Sequence, residues 1–576
     1  MNFGFIIDNR KCIGCHACTV ACKAEHDVPI GVNRTWVKYI EKGEFPHTRR
    51  LFSVMRCNHC DDAPCVEICP VTALYKRADG IVDFDNRRCI GCKACMQACP
   101  YDALYIDPET HTAAKCNYCA HRVEIGLEPA CVNVCPEHAI ISGDMEDPLT
   151  EISQLLAREQ VTARKVEKGT RPKLFYIEGD EASLNPMATE QPSNYMWSSQ
   201  ATGVGHFAKY AEARMRDADA AKMAETLAGK GEWVKGGVGD GERGRLGDGE
   251  KGGKGDGEMG REGEAVAVLV PRGGDEKKMK EKAQEVIQEK ARRVYDAPGK
   301  GVLWGWEVSA YVWTKAIATG AFLLPFIADI GGIVAVSSTL QWLGAGLGML
   351  FLIFTMVLLV KDLDQAQRFI YVLLRPQWKS WLVKGGYALA IYGAALTLWG
   401  MAKFLEWHNV QTLASWTSAL FAIIAAVYTA FLFAQAKGRD FWQSPVLPLH
   451  MLVHALMAGA ASFGICMLFI SVDEAWSRYV HAFLYAGILT NLVVVAAELF
   501  TPHPTADAQA AKHMIVAGRF GKLFWFGAML LGNAVPLLLI AFAGPLLLAT
   551  ASVLVLIGIY ITEHVWVRAP QLVPLS

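Results

Sequence analysis

Hydrophobic residues are distributed very unevenly along this chain of 576 residues. From Trp304 onward, apolar stretches of roughly twenty residues or more recur, which is the length that an α-helix needs to cross a bilayer. They predict eight membrane-spanning helices, near 310–334, 340–360, 381–401, 413–434, 446–470, 479–500, 520–543 and 545–565. Because this number is even, both ends of the membrane domain lie on one side.

The first 145 residues have a different pattern. Short Val and Ile runs, such as residues 80–84, alternate with frequent Pro and Gly, which is typical of a loop-rich α+β domain held together by metal. Further along, residues 148–158 have a helical pattern and residues 173–177 resemble a strand. We therefore expect three parts: a cysteine-rich domain (1–180), a polar, partly disordered linker (181–303) and an all-α membrane domain (304–576).

The linker contains the most biased composition of the chain. Residues 229–263 include fifteen glycines in thirty-five positions, interleaved with charged residues. Such a segment buries almost nothing, so we expect a flexible tether without chemistry of its own. The highly charged residues 275–293 follow as a helix candidate that leads into the membrane domain.

Positive charge marks one side of the predicted spans. Since Lys and Arg are retained on the cytoplasmic face, fourteen on one side against Lys403 and Arg478 on the other predict that the cysteine-rich domain faces the cytoplasm. The N-terminus, MNFGFIIDNRKCIGC, has no basic n-region, no signal-length apolar stretch and no twin-arginine pair. Both observations predict a multi-pass protein of the inner, cytoplasmic membrane. The fourteen are Arg292, Arg293, Lys300, Lys361, Arg368, Arg375, Lys379, Lys384, Lys437, Arg439, Lys512, Arg519, Lys522 and Arg568.

Cysteine carries the clearest chemical signal. Sixteen of the seventeen cysteines fall between Cys12 and Cys135, whereas the net charge of −1 gives no reason to expect nucleic acid or an acidic substrate. The sixteen form four groups of four. These are Cys12, Cys15, Cys18 and Cys22; Cys57, Cys60, Cys65 and Cys69; Cys89, Cys92, Cys95 and Cys99; and Cys116, Cys119, Cys131 and Cys135.

The spacing within the groups indicates iron–sulfur clusters. The first and third groups have the C-x2-C-x2-C-x3-C spacing of bacterial ferredoxins, in which the fourth cysteine reaches a neighbouring cluster, so that clusters come in pairs. Proline follows Cys69, Cys99 and Cys135, although Lys23 follows Cys22. The motif DNRKCIGCHAC, which ends at Cys18, recurs almost unchanged as DNRRCIGCKAC, and CNHC recurs as CNYC. Duplicated ferredoxin units are the simplest interpretation.

Zinc and disulfides explain the pattern less well. Zinc has no use for a third cysteine at two-residue spacing in the same loop, and a reducing cytoplasm keeps thiols free. Cys466 lies in an apolar stretch and is expected to be a small core residue. We expect the histidines of this domain, His16, His59, His111, His121 and His138, to lie at the surface or behind the ligands.

At its cysteine motifs the chain resembles the four-cluster ferredoxin subunits of the dimethyl sulfoxide reductase and polysulfide reductase group, over residues 1–180. The resemblance implies an α+β ferredoxin-like domain with duplicated 2[4Fe–4S] units, in which the first group pairs with the fourth and the second with the third. The implied ligand sets are Cys12, Cys15, Cys18 with Cys135; Cys116, Cys119, Cys131 with Cys22; Cys57, Cys60, Cys65 with Cys99; and Cys89, Cys92, Cys95 with Cys69.

The membrane half resembles a second family, the NrfD/polysulfide reductase membrane subunits. The resemblance rests on WGWEVSAYVWTKAIATG (304–320), DLDQAQRF (362–369) and GRDFWQSPVLPLH (438–450). In that family a quinone headgroup lies near the start of the first span, where a histidine stands close to the position that Tyr311 holds here. Relatives usually keep the two parts as separate subunits next to a molybdopterin catalytic subunit, whereas this chain fuses them.

Ionisable residues at membrane depth are costly, so each is a candidate for function. On the side of the clusters we select Tyr311, Lys315, Asp362, Arg368, His454 and Glu498 as candidate quinone-binding residues. The alternatives are structural: Lys315 could snorkel or pair with a carboxylate, Arg368 could anchor a loop, and Asp362 with Arg368 could form a simple salt bridge. Asp329, near the opposite face, could belong to a proton path.

Haem b is the competing membrane cofactor. It needs two axial histidines that face each other across helices. His450 and His454 cannot sandwich one iron because they share one helix face, whereas a pair between His454 and another span stays open without support in the sequence.

These features predict a membrane-anchored electron-transfer subunit with four [4Fe–4S] clusters and a menaquinone or ubiquinone site. By resemblance, a separate molybdenum or tungsten bis-pterin subunit would carry the substrate site, and this chain would carry only the quinone half-reaction. Two alternatives stay open. One is a redox-linked proton-translocating or electron-conduit subunit of a larger respiratory complex, and the other is a non-redox adaptor scaffolded by metal.

Overall fold

The computed structural model describes residues 1–44, 47–189, 196–197, 291–297, 299–542 and 544–576. The predicted tether, residues 229–263, lies outside the described residues, as does most of the charged helix candidate at 275–293. The C-terminal end of that candidate is not helical, because Arg292 and Arg293 begin the strand Arg292–Asp296. This strand pairs with Thr35–Glu44 of the N-terminal domain, and sheet pairing there overrides the local helical pattern.

Two sheets frame the N-terminal domain. The first has the strand order Ile140–Asp144, Phe3–Asp8, Leu174–Ile177, Val161–Thr162, with its central pair parallel. The second has the order Met196–Trp197, Arg292–Asp296, Thr35–Glu44, His47–Arg56. Two hairpins complete the described strands, Leu74–Lys76 with Val82–Phe84 and Leu104–Ile106 with Ala113–Lys115.

The strand Arg292–Asp296 is held firmly on the N-terminal domain. Asp296 is buried, accepts a hydrogen bond from Trp36 Nε1 at 2.8 Å and pairs with Arg293 at 2.8 Å. The chain therefore returns to the N-terminal domain before it enters the membrane domain.

Short helices carry five of the sixteen N-terminal cysteines, namely Cys18, Cys22, Cys65, Cys95 and Cys131. Pro and Gly recur at short intervals in this domain and limit helix length, so several of these helices have only one turn. In the described N-terminal residues the helices are Ala17–Glu25, Pro64–Ile68, Ala94–Ala98, Ala120–Val123, Ala130–Asn133, Glu151–Arg158 and Glu181–Leu184.

The sequence repeat is also a repeat of backbone conformation. Gly14 and Gly91 have φ of 71° and 70°, and His16 and Lys93, two residues later in each copy, have φ of 61° and 60°. Left-handed backbone is uncommon for His and Lys. The two copies therefore use the same loop to present their first three cysteines.

Eight helices within the described residues are long and apolar enough to cross a membrane, as the sequence predicts. Their bounds differ from the predicted ones by a few residues, because polar residues at the interfaces extend several helices beyond the apolar core. Spans 1 to 8 are Trp306–Ile330, Ser338–Lys361, Trp381–Phe404, His408–Gln435, Leu447–Cys466, Glu474–Phe500, Leu523–Ala541 and Pro545–Leu572. Span 7 is a π-helix over Leu523–Ala534 and an α-helix over Val535–Ala541.

Small residues allow spans 1 and 5 to cross at close range. A Cβ atom on Gly320 would lie 1.8 Å from the carbonyl oxygen of Ala455, and one on Gly459 would lie 2.2 Å from that of Gly320. Such close approach is typical of helix packing in lipid, where apolar burial does not drive association. The crossing places His454 of span 5 beside span 1.

The N-terminal domain sits on one end of the helix bundle. The loops on that end contain the short helices Tyr371–Leu374 and Ala506–Val516. Arg439, between spans 4 and 5, is buried and donates to Gln97 Oε1 at 2.9 Å and to the carbonyl oxygens of Pro570 and Val573 at 3.0 and 2.7 Å. Lys165 pairs with Asp507 at 3.3 Å. Buried polar contacts of this kind fix one domain on the other.

Candidate functional site

The sixteen N-terminal thiols are all free, and most are buried. We group them by the residues that lie around each thiol and call the groups sets A to D. Set A is Cys12, Cys15, Cys18 and Cys135, set B is Cys22, Cys116, Cys119 and Cys131, set C is Cys57, Cys60, Cys65 and Cys99, and set D is Cys69, Cys89, Cys92 and Cys95.

Set A lines one small concavity at the surface, in which Cys15 is exposed. The other three sets are identified by the neighbouring cysteines whose charge raises the pKa of a thiol in the set. Burial raises the pKa of the Cys22 thiol well above its usual value, and Cys116, Cys131 and Cys119 raise it further. Burial also raises the pKa of the Cys65 thiol, and Cys99 and Cys57 raise it further. Burial raises the pKa of the Cys95 thiol, and Cys92, Cys89 and Cys69 raise it further.

The sets form a row. Burial raises the pKa of the Cys18 thiol to about 12, Arg56 opposes the shift, and Cys131 of set B adds to it. Cys116 of set B has its pKa raised to about 12 by burial, with Cys57 of set C adding to it. Cys65 of set C likewise raises the pKa of the Cys95 thiol in set D. The order through the domain is therefore A, B, C, D.

The surroundings of the thiols fit an anionic iron–sulfur cluster. Backbone N–H groups point at sulfur, from Ala73 to Cys69 at 3.2 Å, from Gly91 to Cys89 at 3.4 Å and from Ala139 to Cys135 at 3.3 Å. Such N–H donors and four thiolates in each set are the donor chemistry of a [4Fe–4S] cluster. A disulfide would consume thiols that are free here.

A cavity of about 70 Å³ lies where the N-terminal domain meets the membrane domain. Cys92 of set D forms part of its wall, so the last cysteine set opens directly onto it. Its lining is mostly apolar, as in sites that bind small molecules. The lining residues are Ile90, Cys92, Trp304, Val308, Tyr311, Met356, Leu359, Asp362, Leu363, Phe369, Val372, Leu382, Gly386, Tyr428 and Leu432.

Two of the predicted quinone residues, Tyr311 and Asp362, line this cavity. Asp362 follows span 2, and burial raises the pKa of its carboxyl to about 7, with Lys93 opposing the shift. Lys93 also donates to the backbone oxygen of Asp362 at 3.1 Å and pairs with Asp364 at 3.0 Å. The polar end of the cavity is thus built by both domains.

Lys315 lies one turn below Tyr311 and is buried. It does not snorkel: its Nζ donates to Thr429 Oγ1 at 2.6 Å and lies 4.7 Å from the centre of the Tyr428 ring. Since Tyr428 lines the cavity, Lys315 stands directly behind its wall.

Arg368 does not line the cavity, nor does it pair with Asp362. Its Nη1 donates to the carbonyl oxygens of Asn86 and Cys89 at 2.8 and 3.0 Å. It therefore anchors the loop after span 2 to the N-terminal domain.

His454 and Glu498 are buried away from the cavity, in a network that includes His450. His450 Nδ1 lies 2.5 Å from Glu498 Oε2, and His454 Nδ1 lies 2.7 Å from Glu563 Oε1. Trp566 Nε1 donates to Glu498 at 3.0 Å. His450, His454 and Glu563 offer ligand atoms within 4.8 Å of one another. The two imidazoles lie side by side on one helix, so they cannot bind one haem iron from opposite faces.

The sequence reasoning missed three residues of this region, Tyr428, Glu563 and Trp566. Glu563 is an ionisable residue near the end of the last apolar stretch, so the criterion that selected Glu498 could have found it. Tyr428 and Trp566 carried no such signal, because aromatic residues are common in membrane helices.

Asp329 lies at the opposite end of the bundle and is exposed. It lines a separate pocket with Gln341, Trp399, Gln411 and Trp416. Within the described residues this pocket shares no lining residue with the cavity beside Cys92.

Family comparisons agree with this architecture. Two models described as 4Fe-4S dicluster domain match residues 48–145 and 11–74, and the model described as Polysulphide reductase, NrfD, matches residues 297–574. The dicluster matches indicate iron–sulfur clusters of the 4Fe–4S type. The third match, with the eight apolar helices, indicates a multi-pass membrane protein.

Several curated proteins are similar to the N-terminal part. One subunit of the tetrathionate reductase of Salmonella typhimurium is 45% identical over 196 residues, which cover 33% of this chain and 78% of the relative. One subunit of the polysulfide reductase of Wolinella succinogenes is 43% identical over 180 residues, 30% of this chain and 93% of the relative. The arsenate respiratory reductase iron-sulfur subunit ArrB of a Shewanella species is 34% identical over 227 residues, 31% of this chain and 96% of the relative.

Proposed function

This protein belongs to the family of reductase iron–sulfur subunits, joined here to a polysulphide reductase NrfD membrane domain, and we propose that it relays electrons between a catalytic partner subunit and a membrane quinone. The observation that carries the proposal is the position of Cys92, which belongs to the last cysteine set and also lines the membrane-domain cavity. A cluster held by the last cysteine set and a quinone bound in the cavity would be separated by little more than the cavity wall.

In the proposed relay, sets A to D each hold one [4Fe–4S] cluster, which supplies one-electron transfer when bound. The protein keeps the sets in a row and buries sets B to D almost completely, which keeps water away. Arg56, whose Nη1 lies 3.1 Å from Cys131 Sγ, places a positive charge next to set B and favours its more negative, reduced form. The ligand assignments are part of this proposal.

The cavity is the proposed quinone site, for menaquinone or ubiquinone. Its aromatic and aliphatic walls suit the ring and the start of an isoprenoid tail. Tyr311 and Asp362 would hydrogen-bond the headgroup, while Lys315 and Thr429 would hold Tyr428 in place from behind. Arg368 would act on this site indirectly, by docking the loop that carries Asp362.

The catalytic partner is proposed to dock over set A. This set is at the surface, and the neighbouring apolar residues Ile13 and Val20 are 55% and 64% exposed. Relatives of the N-terminal part are named as subunits of tetrathionate, polysulfide and arsenate reductases, which supports a separate catalytic subunit. We propose a molybdenum or tungsten bis-pterin subunit on the cytoplasmic side, as the positive loops indicate.

Anaerobic purification of the full chain in detergent tests the proposal. We expect about four irons for each of four sets and a low-temperature paramagnetic signal after reduction. Decylubiquinone or menadione added to the chemically reduced protein should then reoxidise the iron. Protein without iron, or reduced iron that neither quinone reoxidises, would contradict the relay.

The partner and the orientation have separate tests. The matched variants Ile13→Asp and Ile125→Asp replace an exposed apolar residue next to set A and one distant from it in the sequence. Only the first should prevent co-purification of a pterin-containing subunit. A reporter fused to the N-terminus should be active only in the cytoplasm, and activity outside it would reverse the orientation.

A further inference from the structure

Five ionisable side chains of the described spans lie buried outside the cavity. Lys315, His450, His454, Glu498 and Glu563 are each 3% exposed or less. They come from spans 1, 5, 6 and 8, so the bundle brings them together from distant parts of the chain. Burying charge at membrane depth costs several kcal/mol even when it is paired, which points to a function for the group.

Four of the five form a chain of direct contacts from Glu563 to Glu498, and Lys315 joins this chain by an electrostatic interaction. The Lys315 ammonium interacts electrostatically with Glu563. Glu563 Oε1 lies 2.7 Å from His454 Nδ1, the rings of His454 and His450 lie 4.2 Å apart between centres, and His450 Nδ1 lies 2.5 Å from Glu498 Oε2. Each carboxylate–imidazole pair can exchange a proton directly, whereas transfer between the two rings requires one bridging water or a ring rotation, because the Nε2 atoms of both histidines have no hydrogen-bond partner.

The inner end of this chain reaches the cavity. Lys315 lies 4.7 Å from the ring centre of Tyr428, which forms part of the cavity wall. Thr429, which accepts the Lys315 hydrogen bond, also lies beside the hydroxyl groups of Tyr311 and Tyr428. A proton on Lys315 is therefore two side chains from a headgroup bound at Tyr311.

The outer end reaches the surface that carries the N-terminal domain. Glu498 lies in the last turn of span 6 and interacts electrostatically with the half-buried His503 in the loop that follows. The His503 ring packs on Phe441 at 5.7 Å, and the adjacent residue, Asp440, pairs with Lys168 of the N-terminal domain.

Toward the opposite face the chain of contacts has no continuation in the two spans that hold its centre. Residues 455–466 of span 5 and 545–562 of span 8 contain no Asp, Glu, His, Lys or Arg. The nearest ionisable residue in the opposite pocket is Asp329 of span 1, beyond a run of buried apolar residues that includes Ala321, Leu323 and Leu324.

We propose that Glu498, His450, His454, Glu563 and Lys315 form a proton relay between the surface under the N-terminal domain and the quinone cavity. The inference rests on the proposed function. Reduction of one quinone takes two electrons from two reduced clusters and two protons from the relay, and it yields the quinol. Protons and electrons then arrive from the same side, so quinone turnover by itself moves no net charge across the membrane.

Single-turnover oxidation tests the relay. The full chain, reduced anaerobically in nanodiscs, is mixed with decylubiquinone, and reoxidation of the iron is followed by absorbance. Glu498→Gln keeps an oxygen to accept the Trp566 hydrogen bond but cannot carry the proton, and His454→Gln breaks the centre of the relay. Glu474→Gln, at the exposed first residue of span 6 and therefore at the opposite end of that span from Glu498, is the matched control.

We expect reoxidation to slow about tenfold or more in both relay variants, with a larger solvent deuterium isotope effect. Iron content and quinone affinity should stay at the wild-type level, and Glu498→Asp should recover part of the rate. Glu474→Gln should behave as wild type. In proteoliposomes, an impermeant pH indicator should report proton uptake on the N-terminal-domain side.

Three results would overturn the relay. The first is that both relay variants reoxidise their iron at the wild-type rate and with the wild-type solvent isotope effect. The second is proton uptake from the opposite side. The third is a stoichiometric metal ion outside the clusters that His454→Gln removes, because a metal would occupy the same three residues. If the wild-type protein itself fails to react with decylubiquinone, the proposed quinone function falls, and the relay falls with it.

Discussion

Trp304 Nε1 donates a hydrogen bond to the backbone oxygen of Cys92 at 3.1 Å. The bond joins a residue just before span 1 to the cysteine loop of set D, and both residues line the same cavity. The Trp304 ring stacks on Phe433 and Trp442, with centres 5.7 and 5.5 Å apart. One indole group thus sets the position of the last thiol set relative to the membrane domain.

Trp304→Phe tests this link. Phenylalanine keeps most of the stacking and loses only the hydrogen bond, which typically contributes about 0.5–1.5 kcal/mol. We expect quinone-driven reoxidation of the iron to slow about threefold to tenfold in stopped-flow experiments, with iron content unchanged. Trp306→Phe, at an indole that is 44% exposed, is the control and should leave the rate as it is. Equal rates in all three proteins would deny Trp304 this role.

Cys92→Ser and Cys466→Ser separate a ligand from a bystander. Cys466, which ends span 5, lies outside the four sets and is half-buried. We expect Cys92→Ser to reduce the iron content by about a quarter, because one of four clusters loses a ligand, and to abolish the reaction with decylubiquinone. Cys466→Ser should keep the full iron content and the reaction with decylubiquinone. Iron and sulfide analysis of anaerobic samples provides the measurement, and iron loss in Cys466→Ser would argue against the assignment.

Arg56→Met should shift the reduction potential of one cluster. Arg56 is buried, its Nη1 lies 3.1 Å from Cys131 Sγ, and its guanidinium lies 4.5 Å from the centre of the Phe5 ring. Removing this positive charge disfavours the reduced state, so we expect one midpoint potential to fall by roughly 50–100 mV, or about 1–2 kcal/mol.

A redox titration monitored by paramagnetic resonance measures that shift. Arg56→Lys keeps the charge and should stay near the wild-type potential. An unchanged potential in Arg56→Met, with all iron present, would mean that solvent or backbone N–H groups compensate for the lost charge.

Gly91→Ala should weaken the contact between the two domains. Gly91 has φ of 70°, and a Cβ atom there would lie 2.7 Å from Asp364 Cβ in the loop after span 2. Gly126 has φ of 77°, but a Cβ atom there would meet nothing within 4 Å. Both variants lose about 1–2 kcal/mol to left-handed backbone.

Only Gly91→Ala adds a clash, so we expect faster proteolysis between the domains and slower reaction with quinone in that variant alone. Limited proteolysis and the stopped-flow assay report the two effects. The same loss in Gly126→Ala would assign the effect to backbone strain rather than to docking.

The sequence by itself determined the features that depend on local spacing. The separations among Cys12, Cys15 and Cys18 fix three thiols in one loop, and the repeat at Cys89 predicts a second loop of the same shape, which the φ angles of His16 and Lys93 match. The number of membrane spans follows in the same way from the length of each apolar stretch.

The tertiary structure decided which distant residues meet. In lipid, the buried and the outward faces of a helix are both apolar, so the pattern along a span does not reveal its rotation or its neighbours. The sequence could therefore select Tyr311, His454 and Glu498, but it could not separate Tyr311 at the cavity from the other two in the buried network. It also held no sign that Cys92 would open onto that cavity, because the contact depends on how two domains distant in the sequence dock on each other.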